Sequence, residues 1–387
     1  MSASRSYLDY NATTPLRPSA RAAVVAALDL SGNPSSVHGE GREARRIVER
    51  ARGQVAALVG AAAERVVFTS GATEAANMVL SPELKGPTAR GGVRRLLVGA
   101  TEHAAVRQGH RFPAGAVTEL PVDADGLMRL DALEAALAAD GGAPALLALQ
   151  AANNETGVLQ PLRAAADLVH AAGGLLACDA VQVAGRLPFG ISNAGADAVL
   201  VSSHKIGGPQ GAGAVVLGDG VTLGSALLRG GGQERGYRSG TENVAGLAGF
   251  GAAAEAARVN ESDRLAALRH KLEHGLIAQA SDVVIFGRGA SRLPNTTAFA
   301  VPGTAAEMML IALDLADVAV SSGSACSSGK VARSHVLDAM GVPASLAGGA
   351  LRVSTGWATT EVEIDHFQQA FGMALGRMRK QPLPAAA

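Results

Sequence analysis

The chain has 387 residues, 48% hydrophobic and 18% charged, and its 34 Lys and Arg cancel its 34 Asp and Glu. That length allows about two domains with a sizeable core, and the composition excludes a disordered chain. The charge balance argues against a general nucleic-acid or anionic-membrane binder, whose affinity would rest on a basic surface. Two cysteines, Cys178 and Cys326, are too few for a disulfide framework or a cysteine-rich zinc site, so any thiol chemistry rests on a single cysteine and no metal is expected. The opening MSASRSYLDY lacks the apolar core of a secretory signal, and no stretch reaches the roughly 18 apolar residues of a membrane span. A cytoplasmic protein with no membrane partner is expected.

Along the chain, apolar runs ending in small or polar residues alternate with helical stretches, the βαβ rhythm of a mostly parallel sheet. Ile47, Ala51, Val55 and Leu58 form one helical stripe, and the charged run 42–52 around them reads as a solvated helix face with ion pairs rather than a partner patch. Strands are predicted at 66–69, 96–99, 145–150, 174–178, 198–202 and 212–217, with a second helical stripe at Leu130, Leu133 and Leu137. The Gly-rich run RGGGQERGYRSGT (229–241) leads into an Ala-rich helix and then a polar helix near 261–280. A domain boundary is placed near Ala256: a large domain over 16–255 and a smaller α+β domain over 256–387, with short strands at 297–301, 318–321 and 351–354. Residues 321–329 read as a mobile Ser/Gly loop and QPLPAAA as a frayed tail.

In open α/β sheets ligands sit beyond the carboxyl ends of the strands. Four strand ends carry suggestive residues. SerSerHisLys (202–205) follows one strand and precedes IGGPQGAG. A lysine there is either a surface residue or an amine of the kind that forms Schiff bases. CysAspAlaValGln (178–182) places a carboxylate where it would keep a pyridine nitrogen protonated, or where it would cap a helix. Gln182, one turn on, points the same way. SerGlyAlaThrGlu (70–74) offers small residues and a hydroxyl at a helix N-terminus, an anion site or an ordinary cap. His103, in ThrGluHis, is a proton carrier or a structural histidine.

Taken together these segments resemble the cysteine desulfurases of the NifS/IscS type, in the class-V aminotransferase family of fold-type-I pyridoxal-phosphate enzymes. The resemblance runs nearly end to end, from TyrLeuAspTyrAsnAlaThrThrPro (7–15) through GlyAsnProSerSer (32–36), SerGlyAlaThrGlu, ThrGluHis, AsnAsnGluThrGly (153–157), AspAlaValGln, SerHisLys and ArgSerGlyThr (238–241) to SerSerGlySerAlaCysSerSerGly (321–329). It implies a large domain built on a mostly parallel seven-stranded sheet, a smaller α+β C-terminal domain, and an N-terminal arm over 1–15 that packs with the smaller one. It further implies that Lys205 carries pyridoxal 5'-phosphate as a Schiff base, that Asp179 pairs the pyridinium nitrogen, that Gln182 contacts the ring hydroxyl and that His103 stacks on the ring. Ala72, Thr73, Ser202 and His204 would hold the phosphate, with Thr241 reaching in from the other subunit of a homodimer. Asn154, which also touches the cofactor, would bind the substrate carboxylate with Arg352 and Asn11.

On the same resemblance Cys326 decides the reaction: L-cysteine becomes L-alanine, and the sulfur stays as a persulfide on Cys326 for a sulfur-acceptor protein, a cluster scaffold for iron-sulfur assembly or a thiolation carrier. Cys178, inside an apolar strand, reads as a small core residue. The alternatives are a selenocysteine lyase or aminotransferase-like relative on the same fold, and a non-catalytic sulfur-transfer platform. Trp357 stands where many relatives have a smaller or basic residue, and the tail differs from the usual extension, so partner docking is left open.

Overall fold

Strands buried on both faces need an unbroken apolar run, and this chain supplies a series of them. The computed structural model describes residues 5–258, 261–323 and 333–380. Cys326 and the tail 381–387 lie outside these residues. In chain order the strands are β1 (Ser6–Tyr7), β2 (Val66–Thr69), β3 (Arg95–Gly99), β4 (Val117–Leu120), β5 (Ala145–Gln150), β6 (Leu175–Asp179), β7 (Ala198–Ser202), β8 (Gly213–Leu217), β9 (Val284–Ile285), β10 (Thr296–Ala300), β11 (Val318–Ala319), β12 (Ser321–Ser322) and β13 (Leu351–Ser354).

Seven of them form one sheet in the order β2-β8-β7-β6-β5-β3-β4. All pairings are parallel except those of β8, which runs antiparallel to both β7 and β2. The short connection from β7 to β8 has no room for the crossover helix a parallel pair requires. β4 was not expected. It is an edge strand, VTEL, with Thr118 and Glu119 exposed, so it has neither an apolar run nor a strict alternation. β6 begins and ends one residue later than predicted, which puts Asp179 inside the strand.

Helix Gly39–Leu58 buries Ala44, Val48, Ala51, Val55 and Leu58 and packs on helix Val244–Ala257. The helices meet closely at Gly251, where a Cβ would lie 2.6 Å from the Cα of Ala51. One part of the expectation fails here: the charged run 42–52 is not wholly solvated. Arg52 is buried, makes two 2.8 Å hydrogen bonds to the carboxylate of Glu234 and lies 4.7 Å over the ring of Phe68. Periodicity places residue 52 off the apolar stripe, but the guanidinium reaches inward to a carboxylate 182 positions away.

A second, antiparallel sheet has the order β12-β13-β10-β9. Helices Ser262–Gln279, Ala306–Asp314 and Glu361–Lys380 accompany it, and Phe299, Phe367 and Phe371 form its aromatic core, with Phe367 and Phe371 stacked at 5.8 Å. The stretch predicted as one strand at 318–321 is two. β11 pairs with β1, while β12 pairs with β13. Residues 6–8 are thus laid between β11 and the second sheet: the amide of Leu8 donates to Ala319 O and that of Ser354 to Leu8 O. Among the described residues no helix is long and apolar enough to cross a membrane.

Candidate active site

Because β2 and β7 flank the antiparallel β8, they run in the same direction, and Thr69 and Ser202 both stand opposite Gly213. Likewise Gln150 is level with Asp179 across β5 and β6. The register therefore gathers the carboxyl ends of the parallel strands at one edge. There they line a cavity of about 470 Å³, together with Asn11, Ala12, Thr13 and Arg352. Ala72, Thr73, His103, Asn154, Asp179, Gln182, Ser202, His204 and Lys205 all border it.

Lys205 ends a single turn after β7, Ser203–Lys205. Its Nζ donates to the carbonyls of Asn11 at 2.6 Å and Ala12 at 2.9 Å, and its own carbonyl accepts from the hydroxyl of Thr14 at 2.8 Å. Next to it, the Nδ1 of His204 is 3.2 Å from the hydroxyl of Thr13. Burial, then the charges of Lys205 and Arg186, pull the imidazole down to about 4, so it is neutral at pH 7.

Asp179 is the last residue of β6. Its Oδ1 accepts from the amide of Val181 at 2.9 Å. Burial pushes the carboxyl up, against the opposing effects of the Val181 amide, His103 and Lys205. Nearby, Glu102 is fully buried, with one oxygen accepting from the amide of Gln150 at 2.8 Å and the other without a hydrogen-bond partner among the described residues. Burial pushes its carboxyl well above the usual carboxylate range, and the charge of Asp179 adds to this. His103 accepts the amide of Ala105 on Nδ1 at 3.0 Å, which leaves the proton of a neutral ring on Nε2.

The phosphate expectation rests on helix Ala72–Val79. Its cap position is Gly71 and carries no side-chain cap hydrogen bond, so the first-turn amides are not used up by a hydroxyl. A Cβ on Gly71 would meet nothing within 4 Å, whereas one on Gly213 would strike Gly71 at 2.6 Å, so backbone packs behind the turn and space opens over it. Amides at a helix N-terminus with Thr73, Ser202 and His204 around them suit a phosphate, and Asp179 suits a pyridinium. The donor set therefore fits pyridoxal phosphate.

Arg352, in β13, is 1% exposed yet reaches the cavity. Its Nη2 binds Asp9 Oδ1 at 2.7 Å, its Nη1 donates to Asn154 O at 3.0 Å, and its Nε has no hydrogen-bond partner among the described residues. The side-chain amide of Asn11 is engaged at both ends: Nδ2 donates to Asn154 O and the Thr296 hydroxyl, and Oδ1 accepts from Asn295. Gln182 donates to Asn11 O at 3.1 Å and accepts from Arg186. Thr241 is exposed and does not line the cavity.

Several contributors went unpredicted. Asp9 stands inside a motif that was noticed, but no spacing rule links it to a residue 343 positions away. Arg186 is buried among the carbonyls of Gln182, Tyr10 and Lys205, and burial draws its guanidinium down to about 9. Glu155 is buried where the described chain breaks off and resumes: the hydroxyl of Ser334 donates to it at 2.5 Å, and a Cβ on Gly323 would lie 3.7 Å from the same oxygen. Nothing local marks Arg186, and Glu155, although inside the AsnAsnGluThrGly block, is linked to Ser334 by no spacing rule.

The family model described as aminotransferase class-V matches residues 6–367. A cysteine desulfurase of Cereibacter sphaeroides is 40% identical over 381 residues, covering 97% of each chain. The cysteine desulfurase IscS of an Anaeromyxobacter species is 41% identical, covering 93% of this chain and 90% of its own. The solved structure of a NifS-like protein from Rickettsia africae superposes with a TM-score of 0.85 at 32% identity, covering 96% of this chain and 99% of that one.

Proposed function

This chain belongs to the class-V aminotransferase family, and we infer that it is a pyridoxal-phosphate-dependent cysteine desulfurase whose reaction is run by Lys205, His103 and Cys326. The observation that carries the reading is the convergence of Lys205, Asp179, His103 and the first turn of helix Ala72–Val79 on one cavity.

When bound, the cofactor supplies an electron sink for the pair released as the substrate's α-proton leaves. Thr73, Ser202, His204 and the first-turn amides hold its phosphate, and Asp179 holds its ring nitrogen in the cationic form. Arg352, with Asn154, receives the carboxylate of L-cysteine. The Lys205 amine, steadied by the Asn11 and Ala12 carbonyls, takes the α-proton, and His103 delivers a proton from Nε2. The thiolate of Cys326 bonds to the substrate sulfur as the carbon–sulfur bond breaks. The electron pair of that bond returns to carbon, which gains a proton, and the products are L-alanine and a Cys326 persulfide.

Sulfur leaves from that persulfide to an acceptor protein, a cluster scaffold or a thiolation carrier. We place the protein in the cytoplasm as a homodimer in which Thr241 of each copy serves the other's site. Exposed Val25, Leu28 and Val37 supply apolar surface for the second copy. We put the domain division at 255, between the residues of the one sheet, 66–217, and those of the other, 284–354, within helix Val244–Ala257.

Mass spectrometry after incubation with cysteine tests this. The expected result is one added sulfur atom on the peptide carrying Cys326, with alanine formed. In Cys326→Ala the visible cofactor band remains and sulfide release stops. Release that survives this change points to a lyase that needs no loop thiol, and a colourless protein that takes up no pyridoxal phosphate points to a non-catalytic platform.

A further inference from the structure

The guanidinium of Arg352 has two edges on which a carboxylate can dock with two parallel hydrogen bonds. The side-on edge consists of Nε and Nη2. Here Nη2 is held by Asp9 Oδ1 at 2.7 Å, while Nε of the same edge is buried, without a hydrogen-bond partner among the described residues, and part of a residue that lines the cavity. The third nitrogen, Nη1, is occupied by the carbonyl of Asn154. Asp9 is itself held in place by its backbone, which bridges to Ser354, and its carbonyl accepts from the hydroxyl of Tyr7 at 3.2 Å. A carboxylate is thus fixed on half of the edge that a ligand carboxylate would need.

We propose that Asp9 is a specificity-determining residue, a resident carboxylate that competes with the substrate's α-carboxylate for Arg352 and so sets how weakly substrate and product are held. The proposal rests on the reading of Arg352 as the carboxylate site. A guanidinium that is 1% exposed would be costly to leave without a counter-charge. Asp9 supplies one while the site is empty, and an incoming carboxylate must share Nη2 with it or displace it while gaining the unpartnered Nε. The charge of Arg352 is therefore partly balanced by Asp9 before the ligand arrives, and the ligand meets less attraction than a lone arginine would give. Release of a carboxylate product benefits from the same competition.

The test is a titration of the cofactor-loaded enzyme with L-alanine, followed by the visible absorption of the cofactor, in the wild type, Asp9→Asn and Arg352→Gln. Asp9→Asn keeps the shape and an acceptor oxygen but removes the charge. It should bind alanine about tenfold more tightly. Cysteamine, which lacks the carboxylate, should bind both proteins equally. Acetate should raise the melting temperature of Asp9→Asn more than that of the wild type, because it replaces the missing counter-charge. Asp9→Ser repeats the comparison should Asp9→Asn not fold. Unchanged or weaker alanine binding in a folded, coloured Asp9 variant overturns the proposal, as does an equal tightening for cysteamine. If Arg352→Gln binds alanine as well as the wild type, it is the assignment of the carboxylate site that fails.

Discussion

The amine of Lys205 is held 2.6 Å from the carbonyl oxygen of Asn11, a residue 194 positions earlier in the chain. With Ala12 O at 2.9 Å, this gives the lysine two backbone acceptors. Two carbonyl acceptors on one amine fix its direction. The N-terminal segment is therefore a wall of the cavity.

Replacing Lys205 by Ala should lower turnover by about 10² to 10⁴, the range for losing a positioned proton carrier. Borohydride reduction followed by peptide mass spectrometry should fix cofactor to the peptide containing residue 205 in the wild type and to none in the variant.

Asn11→Ala removes the hydrogen bonds to Asn154 O, the Thr296 hydroxyl and Asn295 Nδ2. Buried partners left unpaired cost roughly 1–3 kcal/mol, readable in urea unfolding. Asn154 O also receives Arg352, so KM for cysteine should rise more than kcat falls.

Glu234→Ala leaves Arg52 without its buried carboxylate, with only the exposed Glu49 remaining, and the amide of Phe68 without its acceptor. Losing one partner of a buried pair costs about 3–5 kcal/mol. Denaturant midpoints should fall accordingly, while Glu49→Ala, which removes an exposed partner of the same arginine, should change stability by about 1 kcal/mol or less.

Glu155 carries a pH dependence. Burial raises its carboxyl from 4.5 to about 7, against the opposing effects of the Ser334 hydroxyl, Arg352 and His103. The folded protein keeps this proton up to about pH 7, while the unfolded chain releases it near 4.5. Stability from this group is therefore full below the lower value and is lost as pH rises between the two, by on the order of 3 kcal/mol. Glu155→Gln stays neutral throughout. Its unfolding free energy, measured in urea at a series of pH values, should gain on the wild type across that window and run parallel to it above.

The fold was legible wherever burial was complete. β5 and β7 were placed to the residue because a strand covered on both faces must be apolar throughout. β4 escaped because an edge strand with exposed Thr118 and Glu119 obeys no such rule. The site was legible at the strand ends, where Asp179, His103 and Lys205 follow apolar runs. It was illegible where the partner comes from far along the chain, as with Arg52 and Glu234, Asp9 and Arg352, or Glu155 and Ser334. Local sequence constrains a residue's own backbone. Which distant group its side chain meets depends on how the sheets pack.

The pairing of β1 with β11 has a consequence for biosynthesis. Chains emerge N-terminus first, so Ser6 and Tyr7 leave the ribosome long before Val318 and Ala319 exist to receive them. The amide of Asn11 waits longer still for the hydroxyl of Ser354. A nascent chain with its seven-stranded sheet already complete still lacks the anchors that hold the Asn11 and Ala12 carbonyls against Lys205. Residues 6–12 are among the last to take their places, and a ribosome stalled before residue 318 would display a nearly finished cavity with one wall unsecured.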